Sequence, residues 1–149
     1  MKRGQAALEF LMTYGWAILV VLVAIGALAY FGVLRPEKML PEKCVISTGS
    51  GLFCDDYSAS GTTVTLKIKN MLSETVNITA ITLTATGETC TASTSVPKSI
   101  SADNSTTFDI PCSTLVAGDK IKGDFSVTFS KVDGLSKTTT GQLVTTAAA

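Results

Sequence analysis

The feature that most constrains this chain is a long N-terminal segment without charge. Residues 10–34 contain no Asp, Glu, Lys or Arg. A helix of about 25 residues measures roughly 37 Å, which exceeds the hydrocarbon core of a bilayer at about 30 Å. The segment is apolar on every face, whereas a surface helix has one polar face. We therefore expect a helix that crosses a membrane or lies inside a bundle of helices.

The residues around this segment leave three interpretations open. Lys2 and Arg3 precede it and favour a cytoplasmic N-terminus, and "ALA" at residues 27–29 has the shape of a signal-peptidase site. A secretory signal peptide has an apolar region of roughly 7–15 residues, and this run is longer and continues beyond residue 29. A plain membrane anchor is the second interpretation. The third depends on the residues just before the apolar run.

The stretch "RGQAALEF" at residues 3–10 resembles the class III signal peptides of archaeal type IV pilin-like proteins. In that family a prepilin peptidase cuts after a glycine on the cytoplasmic side, and the hydrophobic helix is retained. The resemblance implies that Gly4 is the last leader residue, Gln5 the first mature residue and Glu9 the fifth. It covers about the first 34 residues, and Ala7 stands where the archaeal subgroup commonly has a serine.

This resemblance implies a structural subunit of a surface filament. Its partners would be other copies in a helical homopolymer, the prepilin peptidase, the pilus assembly machinery and, before assembly, the membrane. The expected location is the cell membrane and then an extracellular filament with roles in adhesion or surface contact. The alternative is a membrane-anchored extracellular β-domain that binds a ligand or surface without polymerising. The net charge is zero, which gives no indication of a nucleic-acid partner.

Glu9 has a physical role in the filament interpretation. A lone carboxylate in an apolar bundle is costly to bury without a partner, and no Lys or Arg lies between Glu9 and Arg35. Cleavage after Gly4 would create one, the free amine of Gln5. Pairing between Glu9 of one subunit and this amine of another would fix their axial register. Alternatively, Glu9 only stabilises the first turns of the helix, an effect of about 0.3–1 kcal/mol.

Beyond Cys44 the pattern changes from continuous to alternating hydrophobicity, with a phase slip at Ala80 that predicts a β-bulge. Asp133-Gly134 predicts a hairpin. The fold class expected is α+β by content: a long N-terminal helix followed by an all-β sandwich, Ig-like or pilin-type, of about six to eight strands. The predicted strands are 62–70, 75–86, 106–112, 124–132 and 141–146. The domains expected are a leader at 1–4, a helix at 5–34, a linker at 35–43 and a β-sandwich at 44–149.

The four cysteines all follow the apolar segment. Their even number and the absence of histidine favour two disulfides over a metal site, although free buried thiols stay open. Of three possible connectivities we favour the two local ones, Cys44–Cys54 and Cys90–Cys112. Asn77 in "NIT" and Asn104 in "NST" are N-glycosylation sequons, and Asn104 lies in the more polar stretch.

The sequence contains no recognisable catalytic set. There is no histidine, no P-loop, no G-x-S-x-G and no H-E-x-x-H. The pair Asp55-Asp56 lacks the ligand spacing of a calcium loop, and we expect it in a turn. We therefore expect neither an enzyme nor a cofactor or metal.

Overall fold

A computed structural model describes residues 2–32 and 39–148. The chain divides into two compact units, Met1–Met39 and Leu40–Ala149. The predicted fold class is confirmed, because one long apolar helix is followed by antiparallel strands in two sheets that do not close into a barrel. Residues 35–38 of the expected linker at 35–43 lie outside the described residues.

The first unit contains the helix α1, Lys2–Tyr30. It begins in the expected leader and continues through Gly4 without interruption. No residue of the helix is buried, although most of its side chains are apolar. By length and composition this helix is able to cross a membrane.

The second unit contains eight strands in the part of the chain that the structure describes. They are β1 Lys43–Ile46, β2 Leu52–Ser60, β3 Thr63–Asn70, β4 Val76–Ala85, β5 Lys98–Ile100, β6 Ser105–Pro111, β7 Lys120–Lys131 and β8 Ser136–Thr146. A five-stranded sheet has the order β1-β8-β7-β4-β5, and a three-stranded sheet has the order β2-β3-β6. All strand pairs between these elements are antiparallel.

The core lies between the two sheets and follows the alternating pattern of the sequence. In β3 every second side chain is buried, and β7 repeats this arrangement from the other sheet. Such a period of two places successive side chains on opposite faces of a strand. The largest fully buried side chains come from both sheets and include Phe108, Phe125, Leu66, Ile68, Ile78 and Ile81.

The predicted bulge and hairpin are both confirmed. The register between β4 and β7 shifts between Ile78 and Ala80, so that Ile78 and Ile81 both face the core. The hairpin joins β7 to β8, with Ser130 opposite Ser136 as the last pair. Asp133 has a φ of 59° at its turn, a conformation that Asp tolerates better than most residues.

The expectation of a turn at Asp55-Asp56 is wrong. Both residues lie inside β2, where the pairing with β3 shifts between Cys54 and Asp56. The extra residue of this bulge breaks the alternation of side chains, so the sequence around it does not show the period of two that indicates a strand. The Oδ2 atom of Asp55 forms a salt bridge with Nζ of Lys67 on β3, at 3.1 Å.

Candidate functional site

The residues expected to act in processing and assembly all lie in the first three turns of α1. Gln5 and Glu9 are four residues apart, which places them on one face of the helix in successive turns. Thr13 follows on the same face, and its Oγ1 donates a hydrogen bond to the backbone oxygen of Glu9 at 2.8 Å. Around Gly4, an added Cβ would meet no described atom apart from the helix backbone and its immediate neighbours.

The rest of α1 is a continuous apolar surface. Leu11 is 58% exposed and Trp16 is 70% exposed, values that would be costly for a helix surrounded by water. Small residues, among them Gly15 and Gly26, interrupt the larger ones and leave open space beside the backbone. Side chains of this kind permit close approach of another helix in a membrane or bundle. The surface of α1 is therefore suited to burial in a membrane or in a bundle of helices.

The two disulfides fasten different parts of the sandwich. Cys44 lies on β1, at one edge of the five-stranded sheet, and bonds to Cys54 on β2, at the edge of the three-stranded sheet. Cys90 follows β4 and bonds to Cys112, which directly follows β6 at the opposite edge. These are the two pairs favoured from the sequence. The first disulfide therefore links the two sheets, and the second holds the segment after β4 against the β6 edge of the three-stranded sheet. Such disulfides indicate an extracellular location.

Removal of the Cys90–Cys112 disulfide is expected to lower the free energy of unfolding by about 3 kcal/mol, because it closes the longer of the two loops. The sequence separation is 22 residues for this pair and 10 for Cys44–Cys54. A Cys90→Ala, Cys112→Ala double variant of the full chain in detergent should therefore unfold at lower denaturant concentration than the corresponding Cys44, Cys54 variant. Equal denaturant midpoints for the wild type and the Cys90→Ala, Cys112→Ala variant would contradict this prediction.

Other segments of the unit contact both edges of the three-stranded sheet. At β2, the backbone nitrogen of Ala148 donates to the oxygen of Ala59 at 2.7 Å. At β6, Oγ of Ser93 donates to the oxygen of Asp109 at 2.7 Å, and Nζ of Lys98 donates to the oxygen of Thr107 at 3.2 Å. Covered edges disfavour the addition of a strand from another chain.

A shallow groove of about 480 Å³ lies on the five-stranded sheet, where β1, β8 and β7 meet. Its polar lining includes Lys43, Gln142 and Asp124. Nζ of Lys43 donates to Oε1 of Gln142 at 3.3 Å, so the ammonium group already has one partner. Among residues 2–32 and 39–148, no group of three or more His, Cys, Asp or Glu residues is placed to hold a metal ion.

The two sequon asparagines occupy different environments. Asn77 lies within β4 and is exposed on the face of the sheet turned away from the core. Asn104 is exposed at the turn before β6, where its backbone nitrogen donates to the oxygen of Ser101 at 3.1 Å. Both amides are therefore accessible in the folded domain, and the polar sequence around Asn104 does not distinguish it from Asn77.

No family model matches the chain, and no curated protein matches it significantly.

Proposed function

We propose that the protein is a structural subunit of an archaeal type IV pilus-like surface filament, made as a precursor with a class III signal peptide. The observation that carries this proposal is the combination of α1, apolar on every face and without a buried residue, with Gly4, Gln5 and Glu9 at its start. A helix that is apolar on every face requires a membrane or other helices around it. A filament subunit uses both in turn.

In this proposal α1 first holds the subunit in the membrane and then packs against copies of itself in the filament core. The small residues Gly15 and Gly26 support the second role, because they allow helix backbones to approach closely. The β-sandwich forms the outer wall and makes the contacts for adhesion. Its two disulfides suit a domain outside the cell, where no cytosolic reductant is present.

Leader removal acts as the switch for assembly. Hydrolysis of the bond between Gly4 and Gln5 turns an uncharged amide nitrogen into a free amine and removes the cations Lys2 and Arg3. The amine of one subunit then pairs with Glu9 of a neighbour. Because both groups are buried in an apolar core, each needs the other, and only the correct axial register joins them.

The first experiment is mass spectrometry of the N-terminus of the protein from its native source. We expect a mature chain that begins at Gln5 with a free amine. A Gly4→Leu variant is expected to keep Met1, and a Met12→Leu variant should be processed normally as the matched control.

Two other results would contradict the filament proposal, and a third would contradict only the pairing of Glu9. A chain that begins at Met1 would indicate a simple anchored domain, and one that begins at Tyr30 would indicate a secreted β-domain. An N-terminus at Gln5 that has cyclised to pyroglutamate would lack the charged amine and exclude its pairing with Glu9.

A further inference from the structure

The outward face of the five-stranded sheet carries an unusual array of uncharged polar side chains. We name it the hydroxyl face. Its members are Ser47, Asn77, Thr79, Thr82, Ser99, Ser126, Thr128, Ser130, Ser136, Thr138 and Thr140. They form three rows across neighbouring strands, for example Thr140, Ser126 and Thr82 on β8, β7 and β4. With strands about 4.8 Å apart and rows about 6.8 Å apart, the face covers roughly 14 by 14 Å.

The side chains of this face are held by one another. The hydroxyls of Thr82 and Ser126 are 2.6 Å apart, and those of Thr128 and Thr138 are 3.1 Å apart. Oγ1 of Thr79 donates to the backbone oxygen of Thr128 at 3.2 Å. Cross-strand pairs of this kind fix the side-chain rotamers. The hydroxyl face therefore presents ordered donors and acceptors with no charge to desolvate.

The other sheet has a different outward face. Lys67 and Asp55 form a salt bridge there, and the carboxylate of Asp109 accepts a hydrogen bond from Thr65 at 2.8 Å. On the five-stranded sheet the charged side chains of Lys122, Asp124 and Lys43 lie beyond one border of the hydroxyl face, so the neutral surface is confined to the eleven residues named. A surface of hydroxyls and amides matches a carbohydrate, which offers the same groups and equally carries no charge.

We propose that the hydroxyl face is covered by a glycan attached to Asn77 of the same chain. Asn77 belongs to the face, its side chain is exposed, and the strand residues Ser130 and Ser99 lie opposite it on either side. Thr79 completes the sequon on the same face, since residues two apart in a strand point the same way. The covalent attachment identifies the occupant and places it beside its binding surface.

In the transfer step, Nδ2 of Asn77 forms a bond to C1 of the first sugar of a lipid-linked oligosaccharide. The bond between C1 and the phosphate oxygen of the lipid carrier breaks, the lipid phosphate leaves, and Nδ2 loses one proton. Because β4 is flanked by β7 and β5 at Asn77, a transferase cannot enclose this strand in the folded domain. Transfer therefore precedes the pairing of β4. The proposal requires export of the domain and does not depend on filament assembly.

The test uses the full-length protein from its native source in detergent. Mass spectrometry is expected to find a glycan on the peptide that contains Asn77. NMR of the same protein with labelled Thr methyl groups is expected to show cross-peaks between sugar protons and the methyls of Thr128 and Thr138. An Asn77→Gln variant should lose the glycan mass and every cross-peak, while an Asn104→Gln variant should retain both.

A second pair of variants separates loss of the sequon from any change in folding. Thr79→Ala removes the sequon and should abolish the glycan, whereas Thr79→Ser keeps the sequon and should preserve it. Two results would overturn the proposal: an unmodified Asn77 in the native protein, or a glycan on Asn77 with no cross-peaks to the hydroxyl face. Either result leaves the filament proposal unaffected, since that is tested by the N-terminus.

Discussion

A Glu9→Ala variant is expected to be processed and inserted into the membrane but to form almost no filaments. If the carboxylate pairs with the Gln5 amine of a neighbour, its loss leaves a buried charge without a partner. Removing one member of a buried ion pair costs about 3–5 kcal/mol. A cost of about 3 kcal/mol weakens each subunit addition more than roughly 100-fold. Electron microscopy of sheared filaments would measure the assembled subunits, and immunoblots of the membrane fraction would measure the subunits that remain in the membrane.

Two further variants identify the cause of this loss. Glu9→Gln keeps the size of the side chain and removes its charge, so it should form almost no filaments, like Glu9→Ala. Thr13→Ala removes the hydrogen bond to the backbone oxygen of Glu9 and leaves the charge in place, so filaments should persist. Abundant filaments from Glu9→Ala would exclude the register role. They would leave Glu9 with only a stabilising effect on the start of α1, worth about 0.3–1 kcal/mol.

The strands that could be predicted from the sequence are those with an uninterrupted period of two. β3 and β7 are examples, and even the bulge in β4 was visible, because Ile78 and Ile81 break the alternation by one residue. The strands β1 and β5 have only four and three residues, too few for a period to show. In β2 the bulge falls at the charged pair Asp55-Asp56, where no apolar side chains alternate to reveal the shift.

The candidate assembly residues could be found because they form one local motif on one helix. The hydroxyl face could not, since threonine and serine are spread over most of the sequence after residue 46. Only the register of three paired strands brings Thr82, Ser126 and Thr140 into one row. Cross-strand neighbours depend on strand order, which alternating hydrophobicity does not determine.

Asn70 is the clearest case of a residue whose importance only the fold reveals. In the sequence it ends a predicted strand and resembles an ordinary turn residue, yet it is fully buried. Its Nδ2 donates to the backbone oxygens of Glu74 at 2.7 Å and Ile100 at 3.0 Å. Its Oδ1 accepts from the nitrogen of Leu72 at 2.9 Å. One amide thus joins the end of β3, the loop to β4 and the strand β5.

An Asn70→Asp variant is therefore expected to lose about 3–5 kcal/mol of unfolding free energy at neutral pH, the cost of a buried charge without a partner. The shape of the side chain is unchanged, but two backbone oxygens lose their donor and face a carboxylate. Asn70→Ala, which adds no charge, should lose only about 1–3 kcal/mol. Denaturant unfolding of the full chain in detergent measures both, with Asn104→Asp as a control at an exposed asparagine, expected within about 0.5 kcal/mol of wild type.

Acidification separates the charge from the lost hydrogen bonds. Burial raises the pKa of the introduced carboxyl above its value in the unfolded chain. The loss of unfolding free energy is therefore complete above the pKa in the folded state and disappears as the pH falls below the pKa in the unfolded state. A protonated carboxyl also regains one donor for the oxygen of Glu74 or Ile100. The difference between Asn70→Asp and wild type should therefore shrink as the pH falls, while the difference for Asn70→Ala stays constant. A deficit for Asn70→Asp that does not change with pH would mean that solvent reaches this position, and the amide would then not be the buried link between β3 and β5.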